Sequence, residues 1–401
     1  MTSNGSRLRE APRPEWAPES VSEVADCLRT ASQDRTPVGV SGTGTAQCWG
    51  GMTNVQTLIR THKLNGVLRY EPTDMTIQVG AGMRVSDLQA VVAEHGQRLA
   101  IDTARIDQGA TIGGLVATAD QGPSQLAFGG PRDLVIGAGL VLTDGQVVRS
   151  GGHVIKNVAG YDLARMVAGS LGTLAVITDA TFRLHPVPAA TGTVALEVGI
   201  DEAVVVARAI AQAGLDPVAA EWFSGRLLIR FEGTQTGVQD RLTAAAKLVG
   251  GTCGTLDTTE ADAEWKQYAT IGNPIEQTGV HTTVIRGLAR PTDVTSLVQQ
   301  ANRITLEQEA LPTVAAAVLT GRVDLKVEAV IVSSHAAVVT QWRRHVENLG
   351  GSTILRHHSV ELTDLINAWG TPPSAIDAMR AVKAAFDPHH LLEPGRFDPW
   401  F

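Results

Sequence analysis

Three cysteines in 401 residues, Cys27, Cys48 and Cys253, are too few and too irregularly spaced for a disulfide framework or a tetrahedral metal site. A reducing compartment is the expectation, and no iron–sulfur cluster is ligated by this chain. Aromatic residues make up only 4% of the sequence, and no apolar run approaches the roughly 20 residues that cross a bilayer. The N-terminal stretch MTSNGSRLREAPRPEW is polar and proline-punctuated, without the apolar segment of a secretory signal. Lys and Arg form no cluster, and the net charge of −8 argues against a nucleic-acid surface or a polybasic anchor. These absences predict a cytoplasmic protein with no nucleic-acid partner and no direct membrane insertion, peripheral to the inner face of a membrane only through partners.

What is present is an apolar share of 43% in a chain too long for one ordinary core, so two domains are expected. Val21, Val24, Ala25 and Leu28 recur at helical spacing behind the start signal Pro18-Glu19-Ser20, and residues 85–96 repeat the pattern up to a closing glycine. Asp144-Gly145 between two apolar runs predicts a hairpin. After Pro186 and Pro188 the pattern becomes two successive β-α-β-β-α cycles, the signature of an antiparallel sheet covered by helices on one face. The reading is an α+β chain: a first domain over 1–190 completed by 380–401, and a ferredoxin-like cap over 191–379.

Three stretches carry chemistry. SGTGTA (41–46) follows an apolar strand and offers consecutive backbone N–H groups, the kind of nest that holds a diphosphate; a plain tight turn is the other reading. It is neither a dinucleotide fingerprint, lacking the third glycine, nor a Walker A loop. ATIGGLVAT (110–118) and GSLGTLAVIT (169–178) again set glycines, Ser and Thr against an apolar helix or strand. The first of these reads equally as a helix start packed on a strand. Together the three suggest one long ligand with a diphosphate and a flat ring.

The order of these blocks, with GGPRDLVIGAGLVLTDG, GGHVIKNVAGYDLARMVAGSLGTLAVIT and the terminal AFDPHHLLEPGRF, resembles the FAD-linked oxidases with a vanillyl-alcohol-oxidase (PCMH) type flavin domain. Within them it is most similar to the glycolate oxidase FAD-binding subunits. The resemblance implies a two-lobed FAD-binding domain and FAD held non-covalently, since no His lies in the first loop. It implies FAD contacts at Gly42, Thr43, Gly44 and Thr45, at Thr111, Gly113 and Gly114, and at Gly169, Gly172, Val176 and Ile177. Ser41 stands where the family carries an arginine. Leu171 replaces the glutamate of the catalytic D subunit, no GDGN metal segment occurs, and AWGTPPSA (368–375) matches the E subunit, so the E-like pattern fits better.

The implied activity is oxidation of glycolate or another 2-hydroxyacid, with hydride passing to FAD and electrons on to a catalytic flavin subunit and an iron–sulfur subunit. Two other readings stay open: a non-catalytic FAD-containing relay or structural subunit, and a stand-alone FAD-dependent alcohol or hydroxyacid oxidase. Lys156, Tyr161 and His357 are the candidate catalytic residues; bracing of the loop by Lys156 and Tyr161, and a structural His357, are the competing readings. His357-His358 and His389-His390 lack ligand spacing, so no metal site is expected.

Overall fold

A computed structural model describes residues 13–154, 160–250, 254–272 and 279–401. The expected first helix runs Val21–Asp34. The Ser20 side chain accepts from the Glu23 N–H at its start, and it ends on Arg35 in the left-handed region, whose N–H returns to the Ala31 carbonyl. Its apolar stripe of Val24, Ala25, Leu28 and Ala31 is buried against Val38 and Ile59 of a small parallel sheet, and against Val141, Val176 and Leu392. That sheet orders its strands Glu15–Trp16, Thr57–Arg60, Val38–Ser41. It is the first lobe.

The second lobe is a five-stranded antiparallel sheet in the order Val67–Glu71, Thr76–Gly80, Val176–Arg183, Val135–Val141, Val147–Gly151. The hairpin at Asp144-Gly145 forms as the sequence predicts: Gly145 has φ +80° and its N–H donates to the Leu142 carbonyl. Helices Val85–Ala93 and Ile112–Thr118 seal one face of this sheet through Val85, Leu88, Val92, Ile112, Leu115 and Val116.

From Ala190 the chain builds one eight-stranded sheet. Its order is Gly254–Leu256, Ala190–Glu197, Arg226–Gly233, Ala219–Phe223, Leu311–Ala317, Arg322–Ala329, His281–Leu288, Ser352–His357. Every neighbouring pair is antiparallel, and the two predicted cycles meet where Glu221–Phe223 pair with Ala315–Ala317. Strand alternation sorts the side chains. Leu227, Ile229, Phe231, Val323, Leu325 and Val327 pack under the helices Ile200–Gln212, Gln235–Leu248, Val294–Glu307 and Val332–Asn348. The intervening Arg230, Glu221, Arg322, Asp324, Arg286 and Arg356 fall on the opposite side, where residues 102–124 of the second lobe meet them. The helix Thr258–Ala269 has no counterpart in the sequence reading, and it too sits on this charged side.

The tail returns to both lobes and the cap. Leu392 bridges Val38 in parallel. The buried Lys383 ammonium donates to the Thr173 and Leu392 carbonyls and pairs with Asp387. Beyond it, Phe397 stacks on Trp369 at 4.6 Å between ring centroids, so the last residues belong to the cap's apolar core rather than to the first domain alone.

Candidate functional site: a glycine-lined cleft and an arginine-lined cavity

Three loops far apart in sequence converge on one cleft of about 690 Å³, lined by Gly42, Thr43, Gly44, Thr45, Thr111, Gly113, Gly114, Gly172 and Ile177 among others. Their mutual packing explains some of the glycines. A Cβ on Gly42 would stand 2.3 Å from Thr111 Oγ1, so this glycine makes room for the second loop. Thr111 in turn caps the helix Ile112–Thr118 by accepting from the Gly114 N–H. The third loop docks on the end of that helix, where the N–H groups of Gly169 and Leu171 donate to the Val116 and Ala117 carbonyls.

Two of the eleven expected cofactor positions do not reach the cleft. Val176 is wholly buried in the core beneath the first helix, because adjacent residues on its strand face opposite sides and Ile177 takes the cleft side. Gly169 turns the backbone at φ +86° and lies outside the lining.

The tail supplies two cleft residues that the sequence reading missed. Glu393 Oε1 accepts from the Val40 N–H at 2.7 Å, and Arg396 donates to the carbonyls of Gln47 and Trp49, each at 2.9 Å, and to Glu393. The first glycine loop is thus pinned from its far side. Arg105, also in the lining, donates to Thr45 Oγ1, Thr118 Oγ1 and the carboxylate of Asp120.

Asp120 connects the cleft to a second cavity, of about 560 Å³, between residues 102–104 and 121–123 and the charged side of the cap. Arg230, Arg286, Arg322, Arg356, Asp102 and Asp324 line it, with Trp265, Tyr268 and Ile271 as an apolar wall. Asp120 receives Arg105 from the cleft and Arg356 from the cap, and both guanidiniums also lie over the Trp49 ring, at 4.6 and 4.0 Å from its centroid. Burial alone would raise the Asp120 carboxyl, but Arg356, Arg105 and Arg286 outweigh it and hold it well below the usual range. Burial lowers the Arg356 guanidinium to about 10, with Arg286 adding to the push.

Deeper in, Arg286 grips Asp324 through two bonds of 2.7 and 3.0 Å. Tyr268 donates to Glu221 and accepts from Arg322, both at 2.7 Å. Burial raises Glu221 against a partial offset from Arg322, leaving Glu221 the more readily protonated carboxyl of the network.

The predicted catalytic residues are not gathered here. Lys156 lies outside the described residues. Tyr161 is 85% exposed and lines neither cavity, while its backbone carbonyl accepts from the Ser150 hydroxyl and the Leu163 N–H. His357 is half-buried at the end of the cap's edge strand, 3.8 Å from Cys48 Sγ and also outside both linings. His358, which strand alternation would send the other way, reaches the Gly50 carbonyl of the same loop because the strand ends at His357. Among the described residues no group of three or more His, Cys, Asp and Glu is placed to hold a metal, and no helix is long and apolar enough to cross a membrane.

Comparison with known proteins falls on these same parts. Residues 13–151 match the FAD binding domain family, and residues 330–397 match the family of FAD linked oxidases, C-terminal domain. Glycolate oxidase subunit GlcE of Escherichia coli (strain K12) is 34% identical over 228 residues, 56% of this chain; the chain spans only 63% of that relative's length. Glycolate oxidase subunit GlcD of Bacillus subtilis (strain 168) is 28% identical over 415 aligned positions, covering 95% of this chain and 87% of the relative. An alkyldihydroxyacetonephosphate synthase has the same fold, with a TM-score of 0.74 at 15% identity over 95% of this chain and 76% of its own. Two lobes, three loops, a cap and matches at both ends make the chain a member of the FAD-linked oxidases.

Proposed function

We propose that this chain binds FAD non-covalently in the glycine-lined cleft and serves a 2-hydroxyacid-oxidising flavoprotein assembly, with the arginine-lined cavity as the acid's side of the site. The donor chemistry supports the cofactor. The cleft offers Gly, Ser and Thr backbone and hydroxyl groups with Arg105 and Arg396, and both oxygens of its one carboxylate, Glu393, are already engaged. A diphosphate meets no free negative charge there, and Leu171, Ala175 and Ile177 offer an apolar face to a ring. Among the described residues no His, Cys or Tyr stands in the lining, in keeping with attachment without a covalent bond.

FAD, when bound, supplies the hydride acceptor. The chain's own residues hold the acid: a carboxylate in the second cavity meets Arg286 and Arg356, and the apolar wall of Trp265 and Ile271 excludes water from it. The observation that carries this reading is the shared Asp120, which ties Arg105 of the cleft to Arg356 of the cavity.

Among the described residues no histidine lines either cavity, and this favours a second reading in which the chain holds FAD as a relay for a catalytic flavin subunit and an iron–sulfur subunit, any membrane attachment coming through them. Anaerobic addition of glycolate or D-lactate to the yellow, isolated protein separates the two. Bleaching of the visible flavin band supports oxidation by this chain; a band that no hydroxyacid bleaches, but that a partner subunit reduces, supports the relay. A colourless protein that takes up no added FAD overturns both.

A further inference from the structure

A carboxyl stands behind the wall of the arginine-lined cavity. Glu221, 2% exposed on the strand Ala219–Phe223, is not in the lining but touches two groups that are, Tyr268 and Arg322. The Tyr268 hydroxyl donates to Glu221 Oε2 at 2.7 Å, while Arg322 Nη2 donates to Glu221 Oε1 at 2.9 Å and to the Tyr268 oxygen at 2.7 Å. The three close a ring of hydrogen bonds. A guanidinium does not give up its proton in a protein, so of the two lining groups only the phenol can pass one between cavity and carboxyl. Its ring is held in place: Phe223 and Trp265 each meet it edge-on, with centroids 6.0 Å away and planes at 70°. The hydroxyl is the polar end of a clamped apolar body.

The other carboxylates near the cavity are poorer proton acceptors. Thr103 of the lining also donates to a buried carboxylate, Asp120, but Arg356, Arg105 and Arg286 keep that group ionised, as Arg286 and Arg356 keep Asp324. The Asp102 side chain, 30% exposed, is taken by Arg230 and by the Ser124 N–H and hydroxyl. Glu221 faces one arginine, and burial outweighs it. Among the described residues no histidine lines the cavity to take the role instead.

We propose that Tyr268 is a catalytic residue of this chain, accepting the hydroxyl proton of a 2-hydroxyacid while passing its own proton to Glu221. The inference rests on the reading of this cavity as the acid's side of the FAD cleft. The substrate O–H bond breaks toward Tyr268 Oη and the phenol O–H bond toward Glu221 Oε2, so Tyr268 ends as it began and Glu221 ends neutral. The C–H electron pair of the α-carbon leaves as hydride to the oxidised flavin, and the carbon–oxygen bond becomes a carbonyl. A 2-oxoacid and a flavin reduced by two electrons balance the step.

Anaerobic stopped-flow reduction of the FAD-loaded protein by glycolate or D-lactate tests it. Tyr268→Phe and Glu221→Gln are expected to slow flavin reduction about 100-fold or more. The acid concentration giving half the maximal rate should change by less than about threefold, since binding is left to the arginines. In the parent the rate climbs as pH rises through the Glu221 value, which lies above the ordinary 4.5, because only the ionised carboxyl takes the proton. Glu221→Gln flattens that limb and Glu221→Asp restores a slope. An infrared pH titration without substrate reads the pair apart from turnover: the protonated-carboxyl band lost in Glu221→Gln is that of Glu221. Its midpoint rises further in Tyr268→Phe, because the phenol's hydrogen bond favours the charged form. Circular dichroism confirms that each variant is folded.

Reduction within about threefold of the parent in both variants, or a pH limb that survives in Glu221→Gln, overturns the proposal and leaves the oxidase reading standing. A yellow parent that neither acid bleaches fails the oxidase reading itself, and the proton step falls with it whatever the infrared midpoint does.

Discussion

At the scale of single residues, the glycine loops teach that closeness to the cofactor is not the only reason for a missing side chain. Gly42 faces Thr111, and Gly113 lies with its Cα hydrogen against Ala81, where a Cβ would meet the Ala81 Cβ at 3.0 Å. Gly42→Ala is therefore expected to prise the first loop from the second, at a cost of about 1–3 kcal/mol, and to weaken FAD binding by about tenfold or more. The FAD content of the purified variant and its Kd for added FAD check this; a variant as yellow and as tight as the parent sinks it. Tyr161→Phe is the matched control, since an 85% exposed ring outside both cavities should change neither quantity.

Asp120 gives a sharper case at the same scale. Its folded pKa is depressed below the ordinary 3.8 by three arginines, so its contribution to stability is present above pH 3.8 and is lost as pH falls through the folded value. Asp120→Asn leaves Arg105 and Arg356 without their shared carboxylate, and a loss of about 3–5 kcal/mol is expected at neutral pH. The difference from the parent should begin to narrow below about pH 4, where Asp120 of the unfolded parent takes up a proton while the folded carboxylate stays ionised. Urea unfolding of both proteins at pH 7 and near pH 3.5 measures it. A gap that stays constant across that range would show that the carboxylate's charge is not what holds the two guanidiniums.

At the scale of elements, legibility followed local pattern. The helix Val21–Asp34 with its Ser20 cap, the Asp144-Gly145 hairpin and the two β-α-β-β-α cycles were readable because periodicity and turn chemistry lie in adjacent residues. The three loops were readable as a set, though not which neighbours share a face: Val176 and Ile177 are told apart only once the strand's orientation is known. The arginine cavity was missed for two reasons. Its charged residues alternate with apolar ones along cap strands, as in RLLIRFEG, and such alternation ordinarily means one face in water; here the second lobe covers that face. Its wall, the helix Thr258–Ala269, has weak apolar periodicity, but Asp257 and Glu260 form a capping box that marked its start. Arg396 is a different kind of omission, since its partners at 47–51 are over three hundred positions away. Arg396→Ala strands the buried Glu393 carboxylate, and a cost on the order of 3 kcal/mol together with faster proteolysis near residues 47–51 is expected.

At the scale of the whole molecule, the tail holds the parts in register. Lys383 anchors it to the third glycine loop through the Thr173 carbonyl, Leu392 extends the first lobe's sheet beside Val38, and Glu393 with Arg396 grips the first loop. Its last residues then close on the cap, where the Trp369 indole donates to the Arg396 carbonyl at 2.8 Å and the Trp400 indole to the Gly370 carbonyl at 3.0 Å. One segment thus contacts both walls of the cleft and the domain that carries the second cavity. Ending the chain after Asp387 removes the contacts of Leu392, Glu393, Arg396 and Trp400 but keeps Lys383 and every strand of the described residues. The expected outcome is a folded chain that no longer retains FAD and unfolds in two transitions instead of one, as cap and lobes lose their common brace. Absorbance of the purified protein and calorimetric unfolding read the two effects separately. Stoichiometric FAD and a single transition in the shortened chain would mean that the interface around Asp120 suffices, and that the tail only covers what Arg105 and Arg356 already hold together.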